Sequence, residues 1–274
     1  MKIGYVCTNY NNSAFTAEAI MSLSANVGHQ FHIVVVDNNS AIESKRQLEQ
    51  SMAGFVDVDL VLNPTNLGYF PGLNVGIQRL RSKLPALDVI VVGNNDLVFP
   101  PDFGHAIEAN RDKFEVHAVI SPNIITLDGT HQNPHVIERI SKPRELIYDL
   151  YYANYYAALL IRQVAKLTRG FTDREDEMQH AVAQPIYQGH GACYILGPKF
   201  FEHFTELWAP TFLMGEEFFL SRQLEGKGIR KFYEPSIVVR HHCHAAVDQV
   251  PSRRMWEISR DAHKEYRKYV RVFD

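Results

Sequence analysis

Four consecutive apolar residues, Val89 to Val92, are followed at once by Gly93, Asn94, Asn95 and Asp96. A short apolar run that stops at glycine and polar residues is typical of a strand buried on both faces of a parallel sheet. Ligands of open α/β sheets bind at the carboxyl ends of such strands. One carboxylate beside two amides at that edge suits Mg²⁺ or Mn²⁺ carrying a phosphorylated ligand. A polar turn that caps a core strand explains the same residues.

The composition is that of an ordinary globular protein, with 274 residues of which 46% are hydrophobic and 22% charged. A net charge of −3 gives no indication of nucleic acid as a partner. The three cysteines are widely spaced and form no CxxC pair, which favours a reduced, cytoplasmic protein. Because a strand-like run follows Met1 directly, no secretory signal is expected.

Strand-like and helix-like patterns alternate four times in the first hundred residues. The predicted strands cover residues 3–7, 32–36, 58–62 and 88–92, and the predicted helices cover 13–25, 42–52 and 71–80. This alternation predicts an α/β fold with a mostly parallel, doubly wound sheet flanked by helices. We treat residues 1–274 as one domain, with a nucleotide-binding half (1–100) and a more mixed half (101–274).

Tyrosines recur at helical spacing in the second half, within a predicted helix over residues 146–169. Such a stripe most often packs against a core. Tyrosine also suits a homodimer face or a peripheral membrane contact, since basic residues follow the stripe. A charged terminal helix is predicted over 253–270. The tyrosines are Tyr148, Tyr151, Tyr152, Tyr155 and Tyr156.

Three predicted strands end in small polar clusters: Thr8-Asn9, Asp37-Asn38 and Asn94-Asn95-Asp96. Parallel strands place these ends along one rim, so we expect them to converge on one crevice. The chain contains neither GxGxxG nor GxxxxGK[ST] to hold phosphates, so a cation is expected to do so, with Asp96 as its charged ligand. The literal DxD at Asp57-Val58-Asp59 lies at the start of a strand, away from that rim.

Several of these segments together resemble the inverting glycosyltransferases of family 2, which have a GT-A type fold, and in particular bacterial rhamnosyltransferase-like members. The first-half segments that carry the resemblance are VCTNYNN, VVVDNNS, NLGYFPGLNVGI and GNNDLVF, the last in place of the metal-binding DxD. The second-half segments are GHGACYILGPKFFE, FLMGEEFFLSRQLEGKGIRKFYEP and VVRHHCHA.

The resemblance implies roles for particular residues. Asp96 would bind the metal, and Asn94 stands where many members carry an aspartate. His241, with His242 as the alternative, falls at the position of the family's metal-coordinating histidine. The remaining donor-site residues would be Thr8, Asn9, Asp37, Asn38, Asn66, Gly68, Asn74, Asn94 and Asn95.

Glu216 and Glu217 follow a glycine at the predicted start of a helix, where the helix dipole favours ionised carboxylates. Inversion at an anomeric carbon needs a carboxylate base. The family places that base at the second position of this pair, which is Glu217, with Glu216 in reserve. A structural zinc site at His241-His242-Cys243-His244 is disfavoured because no second ligand pair occurs at a suitable spacing.

The expected activity is transfer of a sugar from a nucleoside-diphosphate donor to a glycan or lipid-linked acceptor hydroxyl, with inversion, in cell-surface polysaccharide synthesis. The chain would act in the cytoplasm, at the inner face of the membrane. A nucleotidyltransferase is a weak rival, because residues 8–14 contain no glycine, lysine or arginine. A non-catalytic sugar-nucleotide or glycan-binding module is the alternative that Asn94 favours.

Overall fold

The computed structural model describes residues 1–167, 176–243 and 253–271. Its strands are β1 (Ile3–Asn9), β2 (Phe31–Asp37), β3 (Val58–Leu62), β4 (Val89–Asn94), β5 (Leu97–Val98), β6 (Val119–Thr126), β7 (Gln184–Ile186), β8 (Cys193–Leu196) and β9 (Lys231–His241). Its α-helices are α1 (Ser13–Ser24), α2 (Ile42–Met52), α3 (Tyr69–Lys83), α4 (Phe103–Ala109), α5 (Arg111–Val116), α6 (Lys142–Ala153), α7 (Tyr155–Leu167), α8 (Pro198–His203), α9 (Glu216–Glu225) and α10 (Arg253–Tyr266). A short 3-10 helix covers Asp176–Gln179.

The described strands form one sheet in the order β3-β2-β1-β4-β8-β6-β9-β5, with β7 paired to β9. The first four strands in that order run parallel, so their carboxyl ends share one edge. Thr8 is in register with both Val36 and Asn94, and Asn9 is in register with Asp37. The next strand, β8, pairs antiparallel with β4 and with β6, so the remainder of the sheet contains strands that run in both directions. The predicted mostly parallel sheet with a mixed second half is confirmed.

Helices cover both faces of this sheet and bury two apolar layers. Alternation along β1 sends Tyr5 and Cys7 into the layer beneath α1, α2 and α4, and sends Val6 into the opposite layer beneath α3, α8 and α9. Because the parallel strands are apolar on both faces, they can be packed only between two helical layers.

The second half contains one long strand where the sequence predicts two short ones, over 229–233 and 237–240. The strand β9 is continuous, and its register against β6 shifts between Pro122 and Asn123. Pro122 is in register with Glu234, and the next residue, Asn123, is in register with Val238. The three residues of β9 between them, which include Pro235, form an irregularity in the ladder. A proline lacks the N–H that a regular ladder needs, which explains why the sequence pattern looks interrupted there.

The helix predicted over 146–169 is wrong as a single helix. It divides at Asn154, whose backbone is extended, into α6 and α7. The Asn154 side-chain oxygen accepts a hydrogen bond from the amide of Tyr156 at 2.8 Å and so caps the start of α7. Residues 168 and 169 lie outside the described residues. Because the new helix starts here, the tyrosine stripe is not one continuous face: Tyr156 is 75% exposed, whereas the other four tyrosines are half-buried.

The terminal helix α10 packs against α6 and ends four residues before the predicted Val270. After Tyr266 the chain tightens into a turn, with the amide of Tyr269 bonded to the carbonyl of Tyr266 at 3.0 Å. Tyr152 stacks on His263 with ring centroids 4.5 Å apart, and Arg267 pairs with Asp149 at 2.6 Å. Within the described ranges, none of the helices combines the length and the apolarity that crossing a membrane requires.

Candidate active site

The turn after β4 brings Asp96 beside His241. The two-residue strand β5 begins at Leu97 and pairs with the end of β9, where Leu97 is in register with His241. Nε2 of His241 consequently lies 3.1 Å from Oδ1 of Asp96, and both side chains are buried.

Gln132 determines which nitrogen of His241 faces Asp96. Its Oε1 lies 2.7 Å from Nδ1 of His241, so Nδ1–H donates to it and Nε2 of the neutral ring carries a lone pair. Two acceptors, Nε2 and Oδ1 of Asp96, then face each other and require a shared positive charge, which a proton or a metal cation can supply. Neighbouring ligands on one Mg²⁺ or Mn²⁺ ion stand about 3 Å apart, so the pair fits a cation.

Of the two asparagines before Asp96, only Asn94 faces this pair. Its Nδ2 lies 3.4 Å from Nε2 of His241. Asn95 is buried instead against α1, where its Nδ2 donates to Oγ1 of Thr16 and to Oδ1 of Asn12, each at 2.7 Å. The structure therefore groups Asn94 with Asp96 and His241, and makes Asn95 a contact that holds the turn to α1.

Asn9 and Asp37 bond to each other across the ends of β1 and β2. Nδ2 of Asn9 donates to Oδ1 of Asp37 at 2.9 Å, and Oδ2 of Asp37 accepts the amide of Ser40 at 3.0 Å. Oδ1 of Asn9 accepts the hydroxyl of Thr16 at 2.8 Å. Asn9 and Asp37 are both 0% exposed. Their side chains therefore order the loops after β1 and β2 from inside the protein. Thr8, one residue earlier, is half-buried and its methyl group lies beneath the first turn of α3.

The next predicted donor-site residues order the loop before α3. Asn38 donates to the carbonyl of Gly68 at 2.8 Å, and Oδ1 of Asn66 accepts the amide of Gly68 at 3.0 Å. Gly68 itself has φ of +89°, and a Cβ there would stand 2.2 Å from the carbonyl oxygen of Phe212. Only glycine suits this position. Asn74 lies six residues after Gly68, in α3, and exchanges two hydrogen bonds with the backbone of Leu207.

Glu217 and Glu216 start α9 after two residues with positive φ, Met214 and Gly215. Glu217 points towards the segment just before β8, where its Oε1 accepts the amide of Gly191 at 3.2 Å. A Cβ on Gly191 would stand 2.6 Å from that oxygen, so the absence of a side chain lets the carboxylate approach the backbone.

Glu216 is buried, and its Oε1 has no hydrogen-bond partner. Burial first, and the neighbouring Glu217 second, raise the pKa of Glu216 to about 8. The raised pKa favours the protonated form of Glu216 at neutral pH. The half-buried Glu217 is the candidate base.

A buried lysine lies beneath the same helix. Nζ of Lys231 donates to the backbone carbonyl of Glu217 at 2.9 Å and to Oγ of Ser221 at 2.7 Å. Burial lowers the pKa of Lys231 to about 7. The first turn of α9 is thus tied to β9 directly behind the candidate base.

The segment 190–192 connects the two parts of the site. The amide of Asn94 donates to the carbonyl of Ala192 at 2.9 Å. The amide of Gly191, one residue before Ala192, donates to Oε1 of Glu217. Tyr69 spans the gap through a 3.0 Å hydrogen bond to the carbonyl of Gly191. Burial first, and then nearby acidic groups including both glutamates and Asp96, raise the pKa of the Tyr69 phenol. Asp96 and the glutamate pair therefore lie near the same phenol.

Sequence reasoning did not identify Gln132, Tyr69, Gly191 or Lys231. Gln132 lies in a loop with no pattern. Gly191, Tyr69 and Lys231 do lie within quoted motifs and so could have been noticed there, in GHGACYILGPKFFE, NLGYFPGLNVGI and FLMGEEFFLSRQLEGKGIRKFYEP respectively.

The rejected alternatives have ordinary surface contacts. Asp59 pairs with Arg79 at 3.1 Å at the far end of the sheet. Nε2 of His242 lies 3.0 Å from Oε1 of Glu18, away from the Asp96 carboxylate. His244 lies outside the described residues.

The sequence profile described as Glycosyl transferase family 2 matches residues 6–166, more than half of the chain. A search of curated protein sequences gives no match. Among solved structures, S. aureus TarS 1-349 in complex with UDP-GlcNAc is similar with a TM-score of 0.55 at 13% identity, covering 99% of this chain and 68% of that one.

Mannosyltransferase PcManGT from Pyrobaculum calidifontis, in complex with GDP-Man and Mn²⁺, is similar with a TM-score of 0.56 at 12% identity, covering 96% of this chain and 70% of that one. GalNAc-T7 with UDP, GalNAc and Mn²⁺ has a TM-score of 0.55 at 13% identity, covering 88% and 44%. In a further crystal structure of TarS 1-349, the chain spans 60% of its relative's length. These likenesses concern the fold, which is GT-A type. By its sequence the chain belongs to glycosyl transferase family 2.

Proposed function

We propose that this protein is an inverting glycosyltransferase that moves a sugar from a nucleoside-diphosphate donor to an acceptor hydroxyl in cell-surface polysaccharide synthesis. The observation that carries the proposal is the set of hydrogen bonds that connects Asp96, His241 and Glu217 through Asn94 and the segment 190–192. In this proposal residues 1–100 bind the donor and residues 101–274 receive the acceptor.

Asp96 and His241, with Asn94 beside them, would hold a Mg²⁺ or Mn²⁺ ion, and that ion would bind the donor diphosphate. A bound divalent cation neutralises the charge that develops on a departing diphosphate. Gln132 keeps His241 in the tautomer that can ligate the ion, because it accepts Nδ1–H. Crystals of two proteins with a similar fold contain Mn²⁺, which supports the choice of a hard cation.

The donor's base and ribose lie over the ends of β1 and β2. Thr8 and Asn66 retain partly accessible side chains there. Asn9, Asp37, Asn38, Asn74 and Asn95 are buried in hydrogen bonds within the protein, so they contribute chiefly by ordering the loops that the donor contacts.

Glu217 is the general base. Its carboxylate takes the proton from the acceptor hydroxyl as that oxygen bonds to the anomeric carbon from the face opposite the diphosphate. The bond between the anomeric carbon and the diphosphate oxygen breaks, and its electron pair leaves with the diphosphate. Glu216, whose pKa is about 8, keeps its own proton and does not compete for this role at neutral pH.

The acceptor enters through an aromatic cleft of about 180 Å³ beside the start of α9. Met214 and Gly215 form one wall, immediately before the glutamate pair. Rings from α6, α9 and α10 form the others, and such rings stack against the faces of sugars and pack against lipid chains. These rings are Tyr148, Tyr152, Phe218, His263 and Tyr266. A glycan or lipid-linked acceptor fits this lining.

One side of α6 and α7 exposes a set of large apolar residues that the rest of the described chain does not cover. Two partners suit such a surface, an anionic membrane at the inner face of a cell and a second copy of the chain. Sedimentation with anionic vesicles and sedimentation velocity without lipid distinguish them. The set comprises Leu146, Ile147, Leu150, Tyr156, Leu160, Val164 and Leu167.

A thermal-shift screen of nucleotide sugars, each with and without Mn²⁺, tests the donor assignment. A ligand that binds the native state at 100 times its Kd raises stability by about 2.7 kcal/mol, which a melting curve detects. We expect a stabilisation that needs both nucleotide sugar and Mn²⁺. No stabilisation by any UDP-, GDP-, CDP- or dTDP-sugar would contradict the proposal.

A non-catalytic sugar-nucleotide or glycan-binding module is the second candidate, favoured by Asn94 in place of a carboxylate. It predicts donor binding without turnover. Incubation of the protein with the stabilising donor and a broad acceptor panel, followed by assay for released nucleoside diphosphate, separates the two functions.

A further inference from the structure

A second group of metal-ligating side chains lies outside the crevice. His29 is in the connection between α1 and β2, and His105 and Glu108 are three positions apart on α4. Each of the three residues offers one ligand atom such that the atoms all lie within 4.8 Å of one another.

This group is at the opposite end of the sheet from the candidate active site. Oε1 of Glu108 lies 3.4 Å from the amino nitrogen of Met1, two residues before β1 begins. Asn94 is in register with Thr8, close to where β1 ends. At about 3.3 Å for each residue, the seven residues of β1 separate the two places by roughly 20 Å. The group therefore cannot share a cation with Asp96.

His29 is held rigidly by packing. Its side chain is 3% exposed. Gly104, at the start of α4, lies so close that a Cβ there would stand 2.6 Å from the His29 ring. Nδ1 of His29 is buried without a hydrogen-bond partner, so packing and the contact of Nε2 with Glu108 orient the ring. A rigid first ligand lowers the entropy cost of assembling a metal site.

Glu108 contacts Nε2, the other nitrogen of the His29 ring, and the ring of His105 packs against the His29 ring. Nε2 of His29 lies 3.0 Å from Oε2 of Glu108. The His105 ring stands edge-on to the His29 ring, with centroids 4.6 Å apart and planes at 89°. A simple hydrogen bond between His29 and Glu108 would explain their contact, but it leaves the second imidazole beside them without a role. Both His105 and Glu108 are exposed, so they can adjust their side chains around an ion.

We propose that His29, His105 and Glu108 form a binding site for a transition-metal cation of the Zn²⁺ type. Two imidazoles and one carboxylate are a known zinc donor set, with water in the fourth position. The same nitrogen-rich set is poor for Mg²⁺ or Ca²⁺, which prefer oxygen ligands. The bound ion cross-links α4 to the connection before β2, alongside the hydrogen bond from the Gly104 amide to Asn26 at 2.8 Å.

Titration calorimetry with ZnCl₂ on the full chain tests the site, in an Asp96→Ala background that weakens zinc binding in the crevice. The variants are His105→Ala and Glu108→Gln, which change exposed side chains and spare the buried His29. His203→Ala is the matched control, an exposed histidine at the end of α8 outside the group.

The background protein is expected to bind one Zn²⁺ ion and to melt at a higher temperature with zinc than without it. His105→Ala and Glu108→Gln should each weaken zinc binding at least tenfold and abolish the rise in melting temperature, whereas His203→Ala should change neither. Absence of zinc binding in the background protein would overturn the proposal, and so would equal zinc affinity in all the variants.

Discussion

Nε2 of His241 lies 3.1 Å from Oδ1 of Asp96, although the two residues are 145 positions apart in the chain. The contact depends on pairing between β5 and the last residues of β9. A carboxylate and an imidazole lone pair placed this way repel each other unless a cation or a proton lies between them.

Asp96→Ala is expected to abolish the Mn²⁺-dependent part of nucleotide-sugar binding, because it removes the only carboxylate beside His241 among the described contacts. Calorimetry with UDP or GDP, with and without Mn²⁺, measures the effect. Asp59→Ala is the matched control, since Asp59 belongs to the literal DxD and makes surface ion pairs worth less than about 1 kcal/mol. Unchanged donor binding and turnover in Asp96→Ala would show that the cation assignment is wrong.

Gln132→Leu should weaken Mn²⁺ binding about 10- to 100-fold, because loss of the acceptor for Nδ1–H frees the orientation and tautomer of His241. Mn²⁺ titration followed by electron paramagnetic resonance measures free and bound ion directly. Gln184→Leu serves as the control. Among the contacts described, the side-chain amide of Gln184 donates only to the side chain of Gln179, at the surface. Equal Mn²⁺ affinity in the two variants would remove Gln132 from the site.

Glu217→Gln should lower the turnover number by at least about 10²-fold while leaving the Kd for the donor unchanged, since an amide cannot accept the acceptor's proton. Glu216→Gln should retain measurable turnover, because Glu216 already carries a proton at neutral pH. Steady-state kinetics and calorimetry are compared for both variants. Equal loss of donor binding and turnover in Glu217→Gln would indicate a structural role.

The stability of the protein should fall as the pH rises from about 5 to about 8, through Glu216. Its pKa is about 8 in the folded protein and 4.5 in the unfolded chain, so between these values the folded state binds more protons than the unfolded state. Folding free energy is then lost with rising pH, by at most about 1.4 kcal/mol per pH unit.

Urea unfolding of the wild type and of Glu216→Gln across this pH range measures that contribution. The wild type should lose more stability with rising pH than the variant, which carries no titratable group at this position. Parallel pH profiles for the two proteins would mean that Glu216 titrates normally.

Gly68→Ala should destabilise the fold by about 2 kcal/mol or more. The new Cβ would meet the carbonyl oxygen of Phe212 at 2.2 Å, and φ of +89° is strained for alanine. Gly54→Ala is the matched control, because nothing lies within 4 Å of a Cβ there. Thermal unfolding of both variants provides the comparison, and similar melting temperatures would exclude the proposed conflict.

Local patterns were sufficient to predict the parallel part of the sheet. The strands β1, β2 and β4 are short, largely apolar runs that end in polar residues, and α9 begins at Glu216 as its pattern predicts. The break at Asn154 was hidden because one polar residue does not interrupt an otherwise helical periodicity. Its capping role became visible only with the backbone.

The internal geometry of the site could be predicted less well, because it depends on pairings between distant parts of the chain. The sequence places Asp37 at a strand end, but only the folded structure shows that Asn9 and Ser40 donate hydrogen bonds to its carboxylate. Gln132 reaches His241 from a loop without periodicity. Such contacts leave no trace in the spacing of residues along one chain.

The short peptide from His190 to Ala192 has two neighbours that belong to different steps of the proposed reaction. The carbonyl of Ala192 is bonded to Asn94, and the amide of Gly191 is bonded to Glu217. The two contacts lie on neighbouring residues, so a shift of the Asn94 turn on donor binding would be passed to the carboxylate of Glu217 through this short segment. A donor-first kinetic order would follow, in which the acceptor meets a correctly placed base only after the nucleotide sugar is bound.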